Sequence, residues 1–423
     1  MALYNDSLKM YRSLLSEKMD KAVWYEGKWS PFIGIINGDT EFGRNNPYGT
    51  TLGLRPTGKP IEVLKQFQRG GIDMDIPVRY PLTNDPTYDE RQMLGNEESR
   101  KFAYKKVYVN QVRHAVNIQD NKLSKQALQN PAIQMELMKS ATSDLTDYMA
   151  RWMSVQPYYA ILEGNSRNLT DANNTFKKLN ISHHPNFYIS GVGAVSNAGW
   201  DNGATTTHGV AIKTALTGAT QTAAASGFGL KTIEAAVYQA RLNRIKPIVY
   251  FGQEVFLMFI HPAQALQLRQ DASVNGYKDA IKQLVIKDGE KSRLFTGNIE
   301  GVFAGALIIV DETIPGINYS GTVPTYGNSK YMLSPVDITN IWKPAVLVGE
   351  SAIACGYGSK LGFESEDYDY NQKKSEAADM IVGFGRADML DQDNKFNKKG
   401  LFFENTSSIV VATYSPSSVT FTL

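Results

Sequence analysis

Between positions 72 and 83 the chain alternates without a break. Ile72, Met74, Ile76, Val78, Tyr80 and Leu82 are apolar, and Asp73, Asp75, Pro77, Arg79, Pro81 and Thr83 stand between them. A period of two places one set on each face of a β-strand. Pro77 and Pro81 both occupy odd positions and have no N–H to donate. The side they face is therefore not a fully paired ladder, and the strand is expected at an edge. The other side is expected to pair within residues 101–118, where Tyr104, Tyr108, Val112, Val116 and Ile118 keep similar spacing. Residues 84–99, rich in Asp, Glu, Asn, Gly and Pro, would form a polar tip. The strand would reach roughly 40 Å at the usual rise per residue. A two-stranded ribbon has little to bury its face against, so the apolar face needs a partner from another lobe or another subunit.

Helical spacing follows. Asn130 is a good N-cap, and Pro131 suits the first helical position. Ile133, Leu137, Ala141, Leu145, Tyr148, Met149 and Trp152 recur at helical intervals. The helix is expected to stop near Val155, before Pro157, at a length of roughly 37 Å. Further on, the pattern predicts a helix at 230–242 and an apolar strand at 248–260. His261 and Pro262 open a helix running to about Ser273. A buried strand is expected at 302–310, an apolar helix of small residues at 345–355, and strands at 380–387, 401–404 and 408–414. Residues 361–379 read as charged and loop-like. The polar stretches 163–229 and 315–343 read as insertions. Helix and strand mix throughout the second half, which indicates α+β and not a repeat array or a regular βαβ series.

The first 60 residues do not read as a compact core. A short amphipathic piece at 8–19 precedes Trp24, Tyr25, Trp29 and Phe32, which lie among Gly, Asn and Pro. Aromatic residues in loop-forming sequence suggest an arm that packs on something else.

Composition narrows the classes. The chain has 423 residues, 42% hydrophobic and 20% charged, which excludes bulk disorder and fibrous sequence and suggests two or three packed lobes. Lys and Arg total 44 against 42 Asp and Glu, a formal net charge of +2. No global basic field marks a nucleic-acid binder, so any DNA contact is expected to be local, sequence-independent and salt-sensitive. No apolar run approaches the roughly 20 residues of a membrane span. The N-terminus lacks the basic and apolar regions of a signal peptide. A lone cysteine, Cys355, excludes a disulfide framework and fits folding in a reducing cytoplasm.

Candidate chemistry is sparse. Gly227-Phe-Gly-Leu-Lys-Thr lacks the G-x-x-x-x-G-K-[ST] spacing of a phosphate loop. Gly356-Tyr-Gly-Ser-Lys-Leu-Gly does not match G-x-G-x-x-G, and it is expected to end a helix instead of opening one. His183 and His184 lie in a loop-like, Asn-rich stretch, short of the usual ligand count for a metal. His114 and His261 read as structural. Cys355 lies in apolar sequence where a thiolate is disfavoured. Glu97 with Glu98, and Glu364 with Glu366, read as solvated acids. No catalytic residue, metal ligand or cofactor is assigned, and the chain does not read as an enzyme.

Local wording carries a resemblance. Ile76-Pro-Val-Arg-Tyr-Pro-Leu-Thr, Leu94-Gly-Asn-Glu-Glu and Val109-Asn-Gln-Val-Arg-His-Ala-Val form a first block. Leu294-Phe-Thr-Gly-Asn-Ile-Glu-Gly-Val with Val310-Asp-Glu-Thr-Ile-Pro forms a second. Ala345-Val-Leu-Val-Gly-Glu-Ser-Ala-Ile-Ala-Cys-Gly-Tyr-Gly forms a third, where the family favours an Ala/Gly-rich helix. In this order they resemble the N-four-type podophage capsid family, whose shell proteins have the Hong Kong ninety-seven type of fold. The resemblance spans roughly 60–400 and is thin over the two insertions. It implies an arm at 1–60, an extended hairpin loop at 61–118 and a peripheral domain with a spine helix at 119–162. It further implies a mainly axial domain at 230–375 and return strands at 376–423.

By this resemblance the chain is a major capsid protein of a tailed phage. It would assemble in the host bacterial cytoplasm into hexamers and pentamers of an icosahedral shell around dsDNA, with non-specific DNA contact and no membrane. A portal and a decoration protein are further partners. The hairpin begins too near the N-terminus to leave room for a cleaved leader of about a hundred residues, so a separate scaffolding protein is expected. The assembly surface would comprise the strand residues Ile72, Met74, Ile76, Val78, Tyr80 and Leu82. An acidic tip of Asp85, Glu97 and Glu98 would meet Lys105, Lys106 and Arg113 of a neighbour, and Trp24, Tyr25, Trp29 and Phe32 would supply arm contacts. Within the same fold, an encapsulin-like cellular shell is the alternative. From another class, a virion carbohydrate-binding or depolymerising protein would instead show short strands repeating at regular spacing.

Overall fold

The computed structural model describes residues 29, 32–36, 59–64, 73–79, 87–88, 97, 102–117, 131–166, 187–189, 228–243, 245–250, 253–270, 299–315, 317–319, 324–326, 342–368, 373–386 and 407–414. Helices and strands mix along the chain, as the α+β reading expects.

Three sheets are present among these residues. The first has the order β1-β2-β14-β15-β5. It is built from β1 (Ile33–Ile36), β2 (Ile61–Leu64), β14 (Ile353–Tyr368), β15 (Lys373–Arg386) and β5 (Asn110–Asn117). The second, larger sheet has the spine β12-β11-β13-β8-β10-β9, with β16 on β13, β6 on β16 and β7 on β8. Its strands are β6 (Phe187–Ile189), β7 (Ile248–Tyr250), β8 (Gln253–Ile260), β9 (Ile299–Phe303), β10 (Ala306–Val310), β11 (Ile317–Tyr319), β12 (Pro324–Tyr326), β13 (Trp342–Val348) and β16 (Ser408–Tyr414). The third is a two-stranded ribbon of β3 (Asp73–Arg79) and β4 (Phe102–Tyr108).

The second sheet is covered on both faces, which explains why its strands are continuous apolar runs. Leu257 and Phe259 of β8 face one core, and Phe256, Met258 and Ile260 face another. The second core is closed by helices α2 (Leu230–Leu242) and α3 (Pro262–Gln270), through Ile233, Val237, Ala240, Ala265 and Leu268. The first core lies between both sheets and the long helix α1 (Pro131–Glu163).

Helix α1 departs from the expectation that it stops before Pro157. It runs 33 residues with Pro157 inside, a length of roughly 50 Å. An interior proline costs about 3 kcal/mol by removing one hydrogen bond and crowding the preceding turn. Burial outweighs that here. The face carrying Ala141, Leu145 and Met149 is buried in the first half, but every residue from Tyr158 to Leu162 is buried in the last turns. The helix ends at Gly164, whose φ of 88° suits the left-handed position after a helix. Fully buried Arg386 donates to the Ile161 carbonyl, placing a cation at the negative end of the helix.

Two further expectations are corrected. Residues 345–355 are not a helix. They supply the end of β13, a turn and the start of β14, with Ser351 at φ 54° in the turn. A small apolar run satisfies a buried strand as well as a helix, and here Val346 and Val348 face one core while Ala345 and Leu347 face the other. Cys355 is accordingly in a strand, and the glycine-rich run after it ends no helix. Residues 361–379 are not loop-like either. They belong largely to the β14–β15 hairpin, whose register shifts between Tyr357 and Ser359 and again between Ser359 and Gly362. Those shifts break the alternation before Gly362, and beyond it Glu364, Glu366 and Glu376 give the strands a charged, loop-like reading. The 248–260 strand is a β7–β8 hairpin, and the 302–310 strand a β9–β10 hairpin. The strand expected at 401–404 lies outside the described residues.

Candidate assembly surface

The β3–β4 ribbon forms as the alternating pattern requires, and its register fixes what shares each face. Met74, Ile76 and Val78 stand opposite Val107, Lys105 and Ala103. Asp73, Asp75, Pro77 and Arg79 stand opposite Tyr108, Lys106, Tyr104 and Phe102. Directly opposed residues lie on one face of an antiparallel pair. In register, Tyr104 and Tyr108 therefore fall with Pro77 and Asp73 and not with Ile76. The pairing strand also divides. Residues 102–108 pair with β3, but 110–117 leave it and pair with β15, with Asn110 opposite Val382 and Asn117 opposite Ser375.

The division occurs at Val109. Val107 and Val109 are buried with Ala354, and Ile381 packs beside them. Gly383 and Gly385 of β15 point at this crossing. A Cβ on Gly383 would lie 2.0 Å from the Tyr108 carbonyl oxygen and 3.0 Å from the Val109 Cα. A Cβ on Gly385 would lie 2.8 Å from a Val107 methyl. Their strand neighbours Val382 and Phe384 belong to the α1 core. By alternation the glycines face the other way, so β4 rides over the face of the first sheet opposite to α1. A glycine inside a strand often marks such a close backbone approach.

Beyond the crossing, β5 is the edge of the first sheet. Val112, His114 and Val116 are half-buried, and Gln111, Arg113, Ala115 and Asn117 are exposed. His114 stacks on Tyr148 of α1 with ring centroids 3.8 Å apart and planes 14° apart, and burial lowers its pKa. Arg113 is opposite Asp379 in register, and Gln111 Nε2 donates to Asp379 Oδ2 at 2.9 Å.

The other singled-out residues are structural where described. His261 is an N-cap, since its Nδ1 accepts from the Ala263 N–H at 3.1 Å. Gln264 reaches back to accept from the His261 N–H at 3.0 Å, a reciprocal cap, and donates to Thr413 Oγ1 at 2.7 Å. Burial, and then Lys343, lower the His261 pKa to about 4. Burial pushes the Cys355 thiol far up, away from thiolate chemistry. Gly229, with extended backbone, is the N-cap of α2. Among the described residues no cluster of three or more His, Cys, Asp or Glu could hold a metal, and no helix is long and apolar enough to cross a membrane.

Two of the arm aromatics are internal. Trp29 and Phe32 are buried in the first core, where the Trp29 ring lies 4.0 Å from Phe259 and 5.1 Å from Tyr158. Trp24, Tyr25, Ile72, Tyr80, Leu82, Asp85 and Glu98 lie outside the described residues. Glu97 is exposed. Successive residues of a strand alternate between faces, so Lys105 is opposite Ile76 and Lys106 opposite Asp75, while Arg113 lies in another sheet. The crossing glycines escaped the sequence reading. Their signal was the run Gly383-Phe384-Gly385, two glycines on one face of a strand.

The family described as phage capsid protein matches residues 46–416. No curated protein matches the chain significantly. Among solved structures, the chain is similar to the capsid of Ralstonia phage GP4, with a TM-score of 0.54 at 17% identity over 85% of this chain and 88% of that one. It is similar to the Cyanophage Pam1 capsid, with a TM-score of 0.52 at 14% identity over 92% of both chains. It is also similar to the capsid of Helicobacter pylori bacteriophage KHP30, with a TM-score of 0.54 at 12% identity over 90% of this chain and 99% of that one. At these identities the likeness is one of fold.

Proposed function

The chain belongs to the phage capsid protein family, and from that premise we propose how it builds its shell. It is a major capsid protein, its place is the virion capsid, and it associates with itself in forming the shell. The finer reading is a Hong Kong ninety-seven type subunit of the N-four-type podophage kind. Its hexamers and pentamers would enclose dsDNA, with a separate scaffolding protein, a portal and a decoration protein as partners. The work is structural and not catalytic. A formal net charge of +2 supports weak, sequence-independent contact with the packaged DNA.

The observation that carries the assembly reading is the β3–β4 ribbon, a sheet of its own that pairs with no other strand among the described residues. Isolated ribbons are marginal in water. Its base is held on its own sheet at Val107. We infer that the outer part of the ribbon lies on a neighbouring subunit and that burial of Ile76 and Val78 there holds the shell together. The test is Ile76→Asp with Val78→Asp. The purified subunit should melt as the parent does yet form no shells in sedimentation. Normal shells, or a subunit that fails to fold alone, would refute the clasp.

A further inference from the structure

We propose that Gly383 and Gly385 are positioning residues that set the take-off angle of the ribbon and thereby the curvature of the shell. The inference rests on the ribbon being the clasp between subunits. Its basis is the crossing at Val109. One strand changes partner there, from β3 to β15, within a single residue. At that point its backbone lies on β15 with no room for a side chain, since a Cβ at residue 383 would meet the Tyr108 carbonyl oxygen at 2.0 Å. Two residues along, Val107 is fully buried against Gly385. The two contacts are of different kinds. One is backbone on backbone, and the other is a methyl group on backbone.

Two contacts on one short stretch fix an angle as well as a position. With Val107 held, a lift of about 1 Å at Val109 tilts the strand by roughly 9° and moves its Phe102 end by roughly 2 to 3 Å, at about 3.3 Å per residue. A clasp displaced by that amount meets its neighbour at another angle. In a closed shell of hexamers and pentamers one interface recurs with small differences of angle, and the angles it favours decide whether the shell closes and at what size. Gly383 and Gly385, buried beneath the strand, thus act on the shell through the ribbon.

The experiment uses the full chain, co-expressed with the phage's other head proteins, and reads particle diameter by electron microscopy beside subunit melting temperature. Gly385→Ala should give particles of altered or mixed diameter, or open sheets, while the subunit still melts cooperatively. Val107→Ala added to Gly385→Ala removes the methyl that clashes and should restore the parent diameter. Gly383→Ala clashes with backbone, so Val107→Ala should not rescue it. Parent diameter for Gly385→Ala alone overturns the proposal, as does a Gly385→Ala, Val107→Ala pair that forms no shells or keeps the altered diameter. The parent reading fails separately. If Ile76→Asp with Val78→Asp assembles normally, the ribbon is not the clasp. If that variant is blocked while Gly385→Ala keeps the parent diameter, only the angle-setting role is lost.

Discussion

Tyr158 donates its phenolic proton to Asp311 Oδ2 across 2.6 Å, both residues being fully buried. The bond ties the last turns of α1 to the end of β10, where Asp311 Oδ1 also accepts from the Thr313 N–H at 2.9 Å and from its hydroxyl at 2.8 Å. Tyr158 and Trp29 pack together in the same core, so this contact joins the helix, the large sheet and the N-terminal segment.

Tyr158→Phe removes one donor from a buried carboxylate. A hydrogen bond to a charged group contributes about 1.5–3 kcal/mol, and the variant should lose stability on that order in urea unfolding. Burial, with the Asp311 charge behind it, raises the Tyr158 pKa well above its ordinary value. A raised pKa gives stability that is complete below the unfolded value near 10 and declines as pH rises beyond it. The parent should therefore weaken above about pH 10 by up to about 1.4 kcal/mol per pH unit. Tyr158→Phe should lose most of that slope. A variant with the parent's alkaline slope would contradict the assignment.

The His261 cap predicts the opposite window. Its pKa is lowered to about 4, so the neutral ring is favoured in the fold. That stability is present above the unfolded value near 6.5 and is lost as pH falls toward 4. His261→Asn keeps a capping acceptor and should reduce the loss of melting temperature between pH 7 and 5. The half-buried His114, also held low by burial, will retain part of the slope. His261→Ala should cost about 1 kcal/mol at pH 7 through the missing cap.

The β9–β10 turn holds Ala304 at φ 52° and Gly305 at φ 87°. Left-handed backbone costs an ordinary residue roughly 1–2 kcal/mol. Ala304→Gly or Ala304→Asn should raise stability by up to about 1 kcal/mol, and Gly305→Ala should lower it. Thermal melting of the three variants checks the order.

At the hairpin tip, exposed ion pairs contribute only about 0–1 kcal/mol each. Glu97→Lys with Glu98→Lys should leave the subunit stable and make assembly slower and more sensitive to salt. Light scattering at two ionic strengths reads both effects. Unchanged assembly kinetics would leave the tip without a role in register.

Legibility followed the local physics. The ribbon strand at 73–79 and the helix at 230–242 were plain because one period runs through each, and the strand at 408–414 because it is a short β-branched apolar run. The β14–β15 hairpin was hidden by its register shifts and by buried Glu376, which occupies an apolar position in the alternation. Residues 345–348 misled because two-sided burial erases periodicity. Pro157 misled because a local rule was outweighed by tertiary burial. The aromatics Trp29 and Phe32 were visible, but nothing nearby in the sequence shows that Phe259 and Tyr158 receive them. The strand's crossing at Val109 depends on a contact with residues 383–385, far along the chain, and only the glycines hint at it.

The central claim is that this chain is a shell subunit whose β3–β4 ribbon clasps its neighbour. A cryo-EM reconstruction of the assembled particle, at a resolution that traces the backbone, tests it most directly. The account predicts a closed shell of hexamers and pentamers of this chain, with each ribbon crossing Gly383 and lying across an adjacent subunit. A shell in which residues 75–79 and 102–106 lie on their own subunit, or a particle whose shell lacks this chain, would contradict it.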